Sequence, residues 1–188
     1  EGGEKVVGDP TEAALLVAAA KGGLVQEDEA RRLPRVDTLP FESEHQYMVT
    51  LHNQGENAPR LAFFKGSVEA VLERSSLELM PDGNVAALDP EGIRSEVERL
   101  GLDGMRVLAM AFKELPAGTA HLTHGDLVSG LVFIGLAGMI DPPRPEAVQA
   151  VNAFHRAGVE VKMITGDHAV TAAAIGVQLG LGIETCPG

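Results

Sequence analysis

Asp141-Pro142-Pro143-Arg144 is followed, one helical segment later, by Met163-Ile164-Thr165-Gly166-Asp167. Residues 159–164 form an apolar, β-branched run that reads as a buried strand, and Thr165-Gly166-Asp167 breaks it just before a helical stretch over 169–179. Asp167 is thereby expected at the carboxyl end of a strand and the amino end of a helix. Open α/β sheets bind ligands there, and the unpaired N–H groups that open a helix suit phosphate. Taken alone, Asp167 reads equally well as a helix cap. Upstream, Pro145 sits where a first helical position tolerates proline, Ala147, Val148, Val151 and Phe154 supply an apolar stripe, and Gly158 stops the helix. With a strand at 131–136, the order is strand, helix, strand, helix. A right-handed parallel crossover then brings Asp141 and Asp167 to the same sheet edge.

The rest of the chain has a different grammar. Asp9 reads as an N-cap with Pro10 at the first helical position and Glu12 three beyond the cap, and that helix ends at Gly22-Gly23. An extended segment around 31–39 precedes Pro40-Phe41. Residues 47–52 and 61–65 flank a polar, glycine-containing turn at 53–57, the signature of an antiparallel hairpin. A short helix over 68–74, a helix from Asp89-Pro90 to Leu100, and strands over 107–112 and 131–136 complete the reading. The expected fold is α/β in the α+β sense: a mixed antiparallel sheet flanked by helices over 1–140, then a hinge and a partial parallel, Rossmann-like unit over 141–188. The hinge is placed at Pro142-Pro143, which restricts the backbone and interrupts both kinds of ladder.

Composition narrows the function. A formal net charge of −12 argues against nucleic acid, whose phosphates demand a basic face. It does not exclude a nucleotide, for which a few converging cations suffice, and Lys65, Arg106 and Arg144 are available. No Gly-x-x-x-x-Gly-Lys-Ser/Thr loop is present, so a Walker-type cradle is not the binding mode. The longest apolar stretch, 127–140, is interrupted by Ser129 and glycines and, at about fourteen residues, falls short of the roughly twenty that span a bilayer. Cys186 is the only cysteine, which fits a reducing, cytosolic setting. His45, His52, His121, His124 and His155 show no metal-ligand spacing along the chain and read as surface or satisfied core residues. The opening Glu1-Gly2-Gly3-Glu4 has neither an initiator Met nor a signal-peptide pattern, so an excised piece of a larger protein is expected.

Gly8-Asp9-Pro10-Thr11-Glu12, Pro40-Phe41, Lys65-Gly66-Ser67, Gly104-Met105-Arg106-Val107-Leu108-Ala109 and the two acidic loops occur in one order over nearly the whole chain. In that set and order the sequence resembles the E1–E2, or P-type, cation-transporting ATPases, in their calcium-pump-like and related bacterial branch. The resemblance implies a nucleotide-binding domain over 1–140 and part of a haloacid-dehalogenase-like phosphorylation domain over 141–188. It also implies ATP with Mg²⁺, the ion arriving on the nucleotide, and a role in presenting the γ-phosphate to an aspartate. That aspartate stands in an Asp-Lys-Thr-Gly-Thr motif that this sequence lacks, as it lacks the family's Gly-Asp-Gly-Val-Asn-Asp and Thr-Gly-Glu motifs. No catalytic residue and no metal ligand is assigned here, and the piece alone is expected to be inactive.

Each site residue has a structural alternative. Glu12 fits a capping box, and the resemblance adds contact with the adenine amino group. Phe41 reads as core or as an aromatic face for a purine, and the family's adenine-stacking phenylalanine occupies this motif. Lys65 is an edge charge or a pocket lysine, and Gly66 allows close approach to the backbone. Arg106 is a solvated charge at a strand start, or, by the resemblance, directed at phosphate. Thr165, Gly166 and Asp167 are implied to hold the phosphate region, and Asp141 and Arg144 to organise the hinge. Gln46 departs from the pattern, since many animal pumps carry a lysine there, and His168 replaces their usual asparagine. The implied partners are ATP and the remaining transmembrane, actuator and phosphorylation segments of a pump in the cell membrane, with this piece on the cytoplasmic side. The piece itself is expected to be monomeric or weakly self-associating. A stand-alone nucleotide-binding module and a fragment of a dehalogenase-like phosphatase are the competing readings.

Overall fold

A computed structural model describes residues 10–140, 142–165 and 169–182. The chain divides into two compact units, one of residues 1–89 and 108–137, the other of 90–107 and 138–188.

The first unit opens with helices α1, Pro10–Lys21, and α2, Gln26–Arg32. Its sheet is built from β1, Arg35–Glu42; β2, Tyr47–Asn53; β3, Arg60–Gly66; β4, Ser75–Leu79; β5, Val85–Ala87; β6, Arg106–Leu115; and β7, Leu131–Met139. The spatial order is β1-β2-β3-β6-β7-β4-β5, with β1 through β3 and β6 antiparallel and β4 parallel to β7. Helix α3, Val68–Leu72, follows β3 directly, capped by the Ser67 hydroxyl, which accepts from the Ala70 amide.

Alternation decides which face is buried. Tyr47, Val49 and Leu51 of β2 share one face with Ala62 and Phe64 of β3 and Ala109 and Ala111 of β6, and all are buried. The register sets Val49 opposite Phe64, and Phe64 opposite Ala111, so a large ring lies between smaller side chains. Val71, Leu127 and Leu131 add to this core. Burying each such aliphatic or aromatic side chain contributes about 1.5–3 kcal/mol.

The second unit has α4, Pro90–Leu102; α5, Pro145–Arg156; and α6, Ala169–Leu179. Helix α6 packs on both α4 and α5. Gly101 lets Val170 come within 3.5 Å of where a β-carbon would sit, and the buried Thr171 hydroxyl donates to the Met105 carbonyl at 3.3 Å. Among the described residues only Ile93 and Val151 of this unit belong to the buried hydrophobic set. Of the expected stripe on α5, Val151 is buried, whereas Phe154 is half exposed and Ala147 exposed.

One expected element is absent. Residues 159–165 form no strand, and Ile164 is 98% exposed. A strand exists only where a neighbour completes its ladder, and no described strand pairs with this run, so its apolar pattern is not enough. The remaining expected helices and strands are present, and α2, β4, β5 and a 3₁₀ turn at His124–Leu127 are additions.

Candidate nucleotide site

The register of the first unit determines what can meet at one end of its sheet. Tyr47, opening β2, lies opposite Glu42 at the end of β1 and opposite Gly66 at the end of β3. Phe41 and Lys65 therefore sit at the same end, two strand spacings or about 9–10 Å apart in the sheet. Phe41 is 59% exposed and is not part of the core. Lys65 lies on an inner strand, so it is not a charge guarding a sheet edge. Its ammonium donates to the Glu12 carboxylate of α1. Helix α1 has no buried residue, so this ion pair is a long-range tie between it and the sheet.

The turn that links β1 to β2 completes this end. The His45 and Gln46 amides both donate to the Glu42 carbonyl, and Gln46 adopts a positive φ of 58°. The Gln46 carbonyl accepts from the Ser67 amide at 2.9 Å, and its side-chain oxygen accepts from the Ser67 hydroxyl at 3.2 Å. Gln46, the residue that departs from the family pattern, is thus engaged with the start of α3. Gly66 is buried against the same turn, where a β-carbon would lie 2.6 Å from the Gln46 carbonyl oxygen and 2.7 Å from the Tyr47 β-carbon. The space beside this glycine is filled by the chain itself.

Arg106 is exposed and opens β6 three residues before Ala109, the partner of Gly66, so it lies toward the Lys65 end of that strand pair. Arg144 belongs to the second unit and precedes α5 with extended backbone at φ −62° and ψ 138°. Thr165 is exposed. Asp141, Gly166 and Asp167 lie outside the described residues, as does Asp9, the expected cap of α1. A cavity of about 430 Å³ lined by Asn53, Glu56, Asn57 and Arg60 sits at the β2–β3 turn, the opposite end from Lys65, and is no part of this site.

His45 and His124 show no metal-ligand spacing along the chain, yet they are neighbours in the fold. The fold sets their rings 3.9 Å apart between centroids, beside Glu42. Linear spacing could not reveal this, because one residue lies in the β1–β2 turn and the other just beyond a loop after β6. Two carboxylates anchor that loop. Asp37 accepts from the Leu122 and Thr38 amides, and these bonds hold its carboxyl below the usual value. Asp126 accepts from the Thr123 hydroxyl and amide in a capping box, with the same effect on its pKa. The Lys113 ammonium adds bonds to the Asp126 and Ser129 carbonyls, each 2.7 Å long.

The family model for the cytoplasmic N domain of P-type ATPases matches residues 1–146. The chain is 51% identical over 179 residues to the cation-transporting ATPase pma1 of Synechocystis, covering 95% of this chain and 19% of that protein. It is 46% identical over 184 residues to the probable cation-transporting ATPase F of Mycobacterium tuberculosis, covering 97% and 20%. Against the calcium-transporting ATPase of Bacillus subtilis it is 37% identical over 185 residues, covering 95% and 20%. The chain thus spans about a fifth of the length of these relatives.

Proposed function

The chain belongs to the P-type ATPases, as a segment containing their cytoplasmic N domain, and on that premise we propose that it binds the adenosine end of ATP where β1 and β3 of the first unit end. The observation that carries the reading is Phe41. A phenylalanine 59% exposed at a strand's end offers a ring face for a base, with a lysine at the same end of the sheet. The Lys65 ammonium attracts the phosphate chain, and Glu12, already on Lys65, is placed to exchange that partner for the adenine amino group.

Within a whole pump, the bound nucleotide's γ-phosphorus is attacked by a carboxylate oxygen of an aspartate outside this sequence. The bond to the β–γ bridging oxygen breaks, ADP leaves, and the resulting acyl phosphate is later hydrolysed by water. Thr165, Gly166 and Asp167 serve the phosphate end in this reading, and Asp141 and Arg144 the hinge. Residues 141–188 are then part of a dehalogenase-like phosphorylation domain. The half-exposed Phe154 and Val177 and the bare Ile164 of that stretch support the membership, because such surfaces ask for further covering layers. Mg²⁺ neutralises phosphate charge when it accompanies ATP. Glu12 is engaged with Lys65 and Glu42 faces two imidazoles, so this end of the sheet is no oxygen cage for a resident Mg²⁺, and none of its residues is assigned to the ion. The parent resides in the cell membrane with this segment on the cytoplasmic side. No helix among the described residues is long and apolar enough to cross a bilayer.

Calorimetric titration with ATP tests the reading. Phe41→Ala is expected to cost about 1–3 kcal/mol of binding, as loss of an aromatic–base contact does. Lys65→Ala should weaken binding by an amount that shrinks as salt rises, while Asp167→Ala leaves it nearly unchanged. Loss of binding in Asp167→Ala with none in Phe41→Ala would place the nucleotide in the other half and overturn the proposal.

A further inference from the structure

We propose that Glu42, His45 and His124 form a binding site for a divalent cation of the zinc class, separate from the nucleotide's own Mg²⁺. The Glu42 carboxylate oxygen lies 3.6 Å from His45 Nε2 and 3.8 Å from His124 Nε2, and one ligand atom from each of the three residues falls within 4.8 Å of the others. These two separations are too long for hydrogen bonds. They are close to the spacing between neighbouring ligand atoms of a tetrahedral ion with bonds of about 2.0–2.1 Å, which is about 3.3 Å. Contraction of these separations, none of which exceeds 4.8 Å, converts the cluster into three ligands, and the partly exposed imidazoles leave a solvent side for a fourth, a water molecule.

The surroundings orient the ligands. His124 Nδ1 is 2.7 Å from the hydroxyl of Tyr47, whose residue is 2% exposed. When Nε2 gives its lone pair to a cation, the ring proton resides on Nδ1 and is donated to the Tyr47 oxygen. A metal-bound imidazole ordinarily has such an outer partner, which fixes its tautomer and its plane. The backbone is held as well. The Glu42 carbonyl accepts from the His45 and Gln46 amides, and the Thr123–Asp126 capping box sets the turn that carries His124. Two imidazoles and one carboxylate favour zinc, cobalt, nickel or copper over Mg²⁺ and Ca²⁺, which take oxygen.

Zinc calorimetry on the whole chain, with Co²⁺ absorption as a spectroscopic probe, tests the site in the absence of nucleotide and in a Cys186→Ser background that removes the one competing thiol. One equivalent of Zn²⁺ is expected, with millimolar Mg²⁺ unable to displace it. His45→Gln, His124→Gln and Glu42→Gln should each weaken binding by more than about tenfold, Tyr47→Phe by about tenfold, and His155→Ala not at all. Imidazole ¹⁵N shifts of the unsubstituted histidines provide a readout that no folding defect can mimic, and Zn²⁺ should move the Nε2 resonances of His45 and His124 while leaving His52 in place. The proposal is overturned if no saturable binding is found up to about 1 mM, if Mg²⁺ competes equally, if the variants bind as the parent does, or if the shifts fall on other histidines.

Discussion

Gly66 shows how a residue that invites a functional reading can have its first reason in packing. Its place in Lys65-Gly66-Ser67 suggested room for a ligand near the backbone, yet the room is taken by Gln46 and Tyr47. Both obstructing groups, a backbone carbonyl and a buried tyrosine's β-carbon, are unable to swing aside. Gly66→Ala is therefore expected to destabilise the first unit by about 1–3 kcal/mol through overpacking, measured by urea denaturation. Stability equal to the parent's would mean that the turn yields. The Lys65–Glu12 pair is the reverse case. Both residue types were legible as site candidates, but their mutual engagement was not, because α1 and β3 are brought together only by the fold. With Glu12 half exposed, the pair is worth about 0–1 kcal/mol to the fold. Variants at either position should thus remain folded and report on binding.

At the scale of elements, legibility followed locality. Helices α1, α4 and α5 announce themselves through proline at the first turn, and α5 also through the glycine that follows it. The β2–β3 hairpin follows from alternation on both sides of a polar turn. The run at 159–164 has as clear a strand pattern, but a parallel strand is a statement about neighbours, and composition cannot supply them. Ser75–Leu79 and Val85–Ala87 carry no strand signature for the opposite reason, since they are short, polar or half exposed, and owe their state to pairing with β7 and with each other. The segment between β6 and β7 likewise owes its seat to side chains. Asp37 and Asp126 are both held below the ordinary 3.8 by hydrogen bonds that favour the ionised form. Their stabilising contribution is accordingly present above pH 3.8 and lost as pH falls through their lower folded-state values. In an NMR titration the Leu122 and Thr123 amide shifts should move with midpoints below 3.8. Midpoints at or above that value would show that the carboxylates do not hold the loop.

The two units differ most in how far each completes its own core. The first buries aromatic and aliphatic side chains from four strands and α3, whereas the second buries Ile93 and Val151 and exposes Leu102, Ile164 and Val177 among its described residues. Opening free energy scales with such burial, so amide exchange should be slow in β2, β3 and β6 and faster throughout α5 and α6. Equal protection in both would show the second unit to be self-sufficient. The same division bears on chemistry. Phosphoryl transfer to a carboxylate needs the nucleophile within reach of the γ-phosphorus, and the Asp-Lys-Thr-Gly-Thr motif that carries it in this family is not in the sequence. Asp167 and Asp141 are carboxylates too, and if either could substitute, the chain would label itself. We expect that it does not. Incubated with γ-labelled ATP and Mg²⁺ and quenched in acid, where an acyl phosphate survives, the chain should retain no label above that of a Phe41→Ala control. Label retained in proportion to nucleotide occupancy would identify a nucleophile within these 188 residues and would refute the division of labour proposed here.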